Sequence, residues 1–172
     1  ENNTQWNVAA IAIASSLDTS SLLRADDMLD RLGEDQLRLT ILKSIWENVG
    51  HRSRAAQKAI ARRAVPLMID QDDAVGALQL LDAFGESLVD EDLLNLRFQA
   101  AISASAWDAA ADTQSSPEPW IDAWIAVQEE DPNAATVIRQ QIQQRFGEQL
   151  TTSQRETLGI HSPDIEDKIQ TS

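Results

Sequence analysis

The segment Asp26-Asp27-Met28-Leu29-Asp30 sets three carboxylates within little more than one helical turn, and Asp26 and Asp30, four apart, share a face of any helix that holds them. Carboxylates at that spacing suit divalent cations, and Mg²⁺ ions held there would bridge a diphosphate. Such chemistry needs a second acidic site on a facing helix. The chain offers no second motif: Glu34 and Asp35 lie beyond Gly33, and Asp72-Asp73 lacks a spaced third ligand. The competing reading is a solvated helix face whose charge Arg24 and Arg31 balance, so no metal and no cofactor is assigned to the chain.

A second constellation is basic. His51, Arg52, Arg54, Lys58, Arg62 and Arg63 form the only acid-free cluster of positive charge. Arg54, Lys58 and Arg62 recur every fourth residue and share a helix face, while Ala55, Ala56, Ala59 and Ile60 make a small apolar side. Arginines on such a face can clamp an acidic partner segment or a carboxylate terminus. The alternative is internal, because residues 64–96 carry eight acids and no base and a helical hairpin brings them close. Trp120 and Trp124 are the third candidate for partner binding. Four apart on one helix, they make an indole hot spot if they line a concave surface, or a core stripe if Ile121, Ile125 and Val127 mark a helix buried on two sides. Trp6, Trp46 and Trp107 lie on apolar faces and read the same way.

Other chemistries find little material. His51 and His161 are the only histidines, and each borders a glycine or proline turn. The absence of cysteine excludes a thiolate nucleophile and a disulfide framework, and two histidines alone make a poor zinc site. There is no Gly-x-Ser-x-Gly elbow, and the six glycines, never closer than nine residues, form no phosphate loop.

The elements that must position these residues are helices. Apolar residues recur at spacings of three and four in nearly every segment, and the alternation of a half-buried strand is missing. Leu37, Ile41, Ile45 and Val49 line one stripe that Leu42 and Trp46 widen. Gly33, Gly50, Gly85, Gly147 and Gly159 each follow a large apolar residue where a periodic run ends, which marks helix C-termini. Start signals are Ser20 or Ser21, Glu34 or Asp35, Asp72, Asp90, Pro117 and Pro132. Gly76 lies inside an apolar run, where a missing side chain permits close helix approach. These punctuators predict helices over 4–17, 21–32, 35–49, 52–70, 72–84, 90–104, 117–130, 133–146 and 152–158, with a kink or break at Pro66 and a short extra turn after Trp107. Connections of two to six residues make neighbours antiparallel. Residues 1–159 read as one helical-repeat domain and 160–172 as a polar C-terminal tail.

Two resemblances follow from these residues. The carboxylate segment matches the DDxxD pattern of the all-helical isoprenoid synthases, and through it the chain resembles a Mg²⁺-dependent diphosphate-processing enzyme. More broadly, helical hairpins starting near Thr4, Asp35 and Asp72 resemble tetratricopeptide repeats. Trp6, Ala9, Ala10 and Ile13 reproduce that family's first-helix spacing, as do Leu39, Leu42 and Trp46, followed by Gly50 and Ala55. The Glu130-Asp131-Pro132-Asn133-Ala134 junction is similar to the family's link between repeats. Lys43 departs from the pattern where a small residue is usual, as does Trp120 where an alanine belongs, and the period drifts after residue 84. The resemblance implies an all-α, short right-handed solenoid of about eight helices in antiparallel hairpins, whose concave face binds peptides or proteins.

Composition bounds the partners. The 172 residues carry 14 basic and 28 acidic side chains, a formal net charge of -14, which opposes nucleic acid and anionic lipid. The charge is uneven: residues 1–50 sum to -4, 51–63 to +5, 64–138 to -14 and 139–172 to -1. The longest unbroken apolar stretch, Val8 to Ala14, falls far short of a membrane span. The expected function is a non-catalytic interaction or scaffolding module for a protein or peptide partner. A third reading makes the chain one extracytoplasmic domain of a larger or processed envelope protein, spacing its other parts.

Overall fold

The computed structural model describes residues 2–47, 50, 52–85 and 88–160, and for residues 2–7 the backbone alone. The expected tail beyond Ile160, both histidines, Val49 and the Trp6 side chain lie outside the described residues. Among these residues the protein is all-helical, with α1 (Asn2–Ser16), α2 (Thr19–Arg31), α3 (Asp35–Glu47), α4 (Arg54–Asp70), α5 (Ala74–Asp82), α6 (Glu91–Ser103), α7 (Trp107–Thr113), α8 (Pro117–Val127), α9 (Pro132–Phe146) and α10 (Thr152–Thr157). The chain divides into two compact units, residues 1–113 and 114–172.

Local chemistry sets the helix starts. Asp18 caps α2 by accepting from the Ser21 amide at 2.9 Å, and the Ser20 and Ser21 hydroxyls donate to the same carboxylate. The start is therefore not Ser20 or Ser21, whose hydroxyls are spent as donors to the capping Asp18 carboxylate. Ser53 caps α4 in the same manner and Asp73 caps α5. Asp72, expected to begin α5, instead ends α4: its φ is 60°, and the Asp73 amide donates to Met68 O at 2.8 Å. Ser105, at φ 55°, closes α6 identically, with the Ala106 amide on Ala101 O at 2.8 Å. Gly33 and Gly159 make the same terminus with the glycine that this left-handed position favours, and Gly85 also has positive φ. Gly147 caps α9 at the expected helix end, but with a right-handed φ of -51° in place of the left-handed one.

Two further expectations change. Helix α4 runs unbroken through Pro66, held by buried Ala64, Val65, Leu67 and Met68 on either side of the ring. At Gly76 the atoms nearest to where a Cβ would stand, the closest at 2.5 Å, belong to the Asp73 carboxylate that caps α5 and not to a neighbouring helix.

In the first unit α3 packs on α1, α2 and α4, α4 packs on α5 and α6, and α6 packs on α5 and α7. Leu22, Leu42, Ile60, Val65, Leu81 and Leu93 fill the core, and the fully enclosed Ala61, Ala64, Ala77 and Ala100 let the helix axes approach. Trp46 packs on Phe84 with ring centroids 5.5 Å apart. In the second unit α8 packs on α9. Trp120, Ile138, Ile142 and Phe146 are buried there, and Arg155 donates to the Gly147 and Leu150 carbonyls beyond α9.

Candidate functional site

Helix α2 turns Asp26 inward to 3% exposure and leaves Asp27 and Asp30 partly in solvent. A carboxylate buried to this degree requires a charged or hydrogen-bonded partner. Arg38, from α3, donates through Nε to Asp26 Oδ1 at 3.0 Å and through Nη2 to Oδ2 at 3.3 Å, and its Nη1 bonds Asp30 and, at 2.8 Å, Asp35. Arg63, from α4, donates through Nη1 to Asp26 Oδ2 at 2.9 Å and to Asp27. Two guanidinium groups thus gather four carboxylates. The hydrogen bond that Arg38 donates to Asp26 is the main cause that raises the Arg38 pKa above its ordinary value, against the opposing effect of burial. For Arg63 burial is the largest single influence and lowers the value, and Asp27 and Asp26 together outweigh it.

The geometry decides what this constellation can do chemically. Every carboxylate of the motif already faces an arginine, and the void beside Asp26 measures about 20 Å³, room for one water molecule. Among the described residues no three His, Asp or Glu side chains group so as to hold a metal ion. The cluster ties α2 to α3 and α4.

The basic face of α4 is also engaged. Arg54 donates to Gln57 Oε1 at 2.8 Å and to Phe84 O at 3.0 Å, with its guanidinium 4.9 Å from the Phe84 ring centroid. Arg62 donates to Asp90 Oδ2 at 2.6 Å and lies 3.7 Å from Asp92. Asp90 precedes α6, and its carboxylate is turned to Arg62, whose hydrogen bond is the main cause that holds it below the usual range, against the opposing effect of burial. Lys58 is half-buried between them and adds a weaker attraction to Asp90. The acids of residues 64–96 therefore supply partners for Arg62. Lys43 forms an ion pair with Asp73 and holds that carboxyl below its usual range, against the opposing effect of burial.

Trp120 is fully enclosed: its Nε1 donates to Gln114 O at 3.2 Å, its ring pairs with Phe146 at 6.1 Å, and the Arg145 guanidinium lies 5.9 Å from it. It packs the second unit and presents no indole to a partner. Trp124 on the same helix is half-buried.

Sequence reasoning singled out neither Arg38 nor Arg97. Arg38 falls four residues before Leu42 on the apolar side of α3, and a charge on an apolar stripe was the signal available. Arg97, the one base in residues 64–138, donates to Asp82 Oδ1 at 2.9 Å, to Ala109 O at 2.8 Å and to Thr113. It borders an open cleft of about 440 Å³ within the first unit, where Leu81, Leu88 and Leu94 supply apolar lining and exposed Asp82 and Asp112 supply charge. No described helix is long and apolar enough to cross a membrane. Compared with protein-family models, curated proteins and solved structures, the chain matches none of them.

Proposed function

We propose that the protein is a non-catalytic helical-repeat module, a short right-handed solenoid of tetratricopeptide-like hairpins, that binds a protein or peptide partner. The observation that carries this reading is the α5, α6 and α7 cleft, an open surface with an apolar lining beside acidic side chains, of the form that accepts part of a chain. The packing supports it as well, since α3 and α4 pack on immediate neighbours and on the next but one, the interlock of stacked hairpins. Against the diphosphate alternative stand Arg38 and Arg63, which engage both oxygens of Asp26 and one each of Asp27 and Asp30.

Panning a displayed random-peptide library on the full chain tests this function. A consensus that binds with 1:1 stoichiometry in calorimetry is the expected result, and no consensus after repeated rounds counts against it. Titration with Mg²⁺ and a prenyl diphosphate should give no heat; heat that Asp26→Ala abolishes would favour the enzyme instead.

A further inference from the structure

The structure points to the chemistry of the occupant, and we infer that the cleft between α5, α6 and α7 receives a basic peptide segment that pairs Lys or Arg with apolar side chains. This rests on the peptide-binding reading above and narrows it. Two independent properties converge on the cleft. The first is its lining: Leu81 is buried and Leu88 and Leu94 are half-buried at its wall, so an apolar side chain seated there displaces water from leucine surface. The second is charge complementarity. Within the first unit, residues 64–113 hold ten acids against Arg97 alone; Lys43 and Arg62 pair with Asp73 and Asp90, and the Arg97 guanidinium already engages Asp82, Ala109 O and Thr113. Asp112 stands exposed at the cleft, and among the described residues no base pairs with it. An acidic segment would meet like charge from exposed Asp112 and the other acids of residues 64–113, whereas a basic one meets attraction that speeds encounter and fixes orientation. The basic face of α4 does not compete for this role, because Arg54 and Arg62 are committed to Phe84 O and Asp90.

The test is fluorescence anisotropy with the full chain and three labelled peptides of equal length, alternating Lys with Leu, Lys with Ser, and Glu with Leu. The Lys–Leu peptide should bind and the other two should bind at least about tenfold more weakly. Asp112→Lys and Leu94→Ser should each weaken it about tenfold, with circular dichroism unchanged, while Asp70→Lys, in the same acidic tract but outside the cleft, should change it little. Equal binding of Lys–Leu and Lys–Ser, or an equal effect of Asp70→Lys and Asp112→Lys, would reduce the attraction to diffuse charge and overturn the site. Preference for Glu–Leu, or an acidic consensus from panning, overturns the basic occupant while the peptide-binding function stands. Absence of any consensus removes both.

Discussion

At the scale of single residues, the fate of a charged side chain is decided by what shares its burial. Asp26 and Asp27 are adjacent in sequence, yet one is interior and the other half in water, because the helix turns successive residues by 100°. Asp26→Ala strips Arg38 and Arg63 of their common acceptor and leaves the buried Arg38 Nε without its partner. The expected loss is roughly 3–5 kcal/mol in urea unfolding, the range for breaking a buried pair, and Asp26→Leu combined with Arg38→Met should cost less than the sum of the single changes. Acid sensitivity belongs to this scale too. Lys43 and Arg62 hold Asp73 and Asp90 below their ordinary 3.8, so the unfolded chain takes up these protons first as pH falls. Their stabilising share is complete above about pH 5 and is lost as pH drops through the lower folded-state values. Unfolding followed from pH 6 to pH 2 should show stability declining below about pH 4, with a shallower decline in Lys43→Met.

At the scale of elements, termination is a matter of local hydrogen bonding that more than one residue type can complete. α2, α4, α6 and α10 end on the same pair of backward amide bonds, but the left-handed residue is Gly33, Asp72, Ser105 and Gly159 in turn. Asp72 and Ser105 hold a conformation that costs a side-chain-bearing residue about 1–2 kcal/mol. Asp72→Gly and Ser105→Gly should therefore each stabilise the chain by about 1 kcal/mol, and Gly33→Ala should destabilise it by a similar amount, all read from thermal melts. The glycine rule locates ends such as Gly33 and overlooks Asp72 and Ser105, because the hydrogen-bond pattern is the cause and glycine only its cheapest carrier. Nothing in the spacing of Gly147 separates it from Gly33, yet its φ is helical. α4 teaches the converse: Pro66 removes one backbone donor, and burial of Val65 and Met68 at 0% and 3% exposure keeps the helix continuous.

At the scale of the whole molecule, the two units have their own interiors. Trp120 anchors the second, and Trp120→Ala should cost about 3–5 kcal/mol there, with hydrogen exchange accelerating in α8 and α9 while α3 and α4 keep their protection. The division at Thr113 falls just before the Ser115-Ser116-Pro117 breaker, within the stretch whose helical pattern is weakest. The amino-acid sequence by itself determined that the chain is helical and where most of its helices lie, because apolar period, caps and prolines act over a few residues and need no distant partner. It also set the acidity of residues 64–138. Only the tertiary structure decided which charges remain for a ligand. Arg38 meets Asp26 across 12 positions, Arg63 meets it across 37, and Arg62 meets Asp90 across 28, and these encounters consume the two constellations that looked most chemical in the sequence. Whether a carboxylate binds a cation, a partner or its own chain depends on the low-dielectric neighbours that packing supplies, and packing joins residues that sequence spacing leaves unrelated.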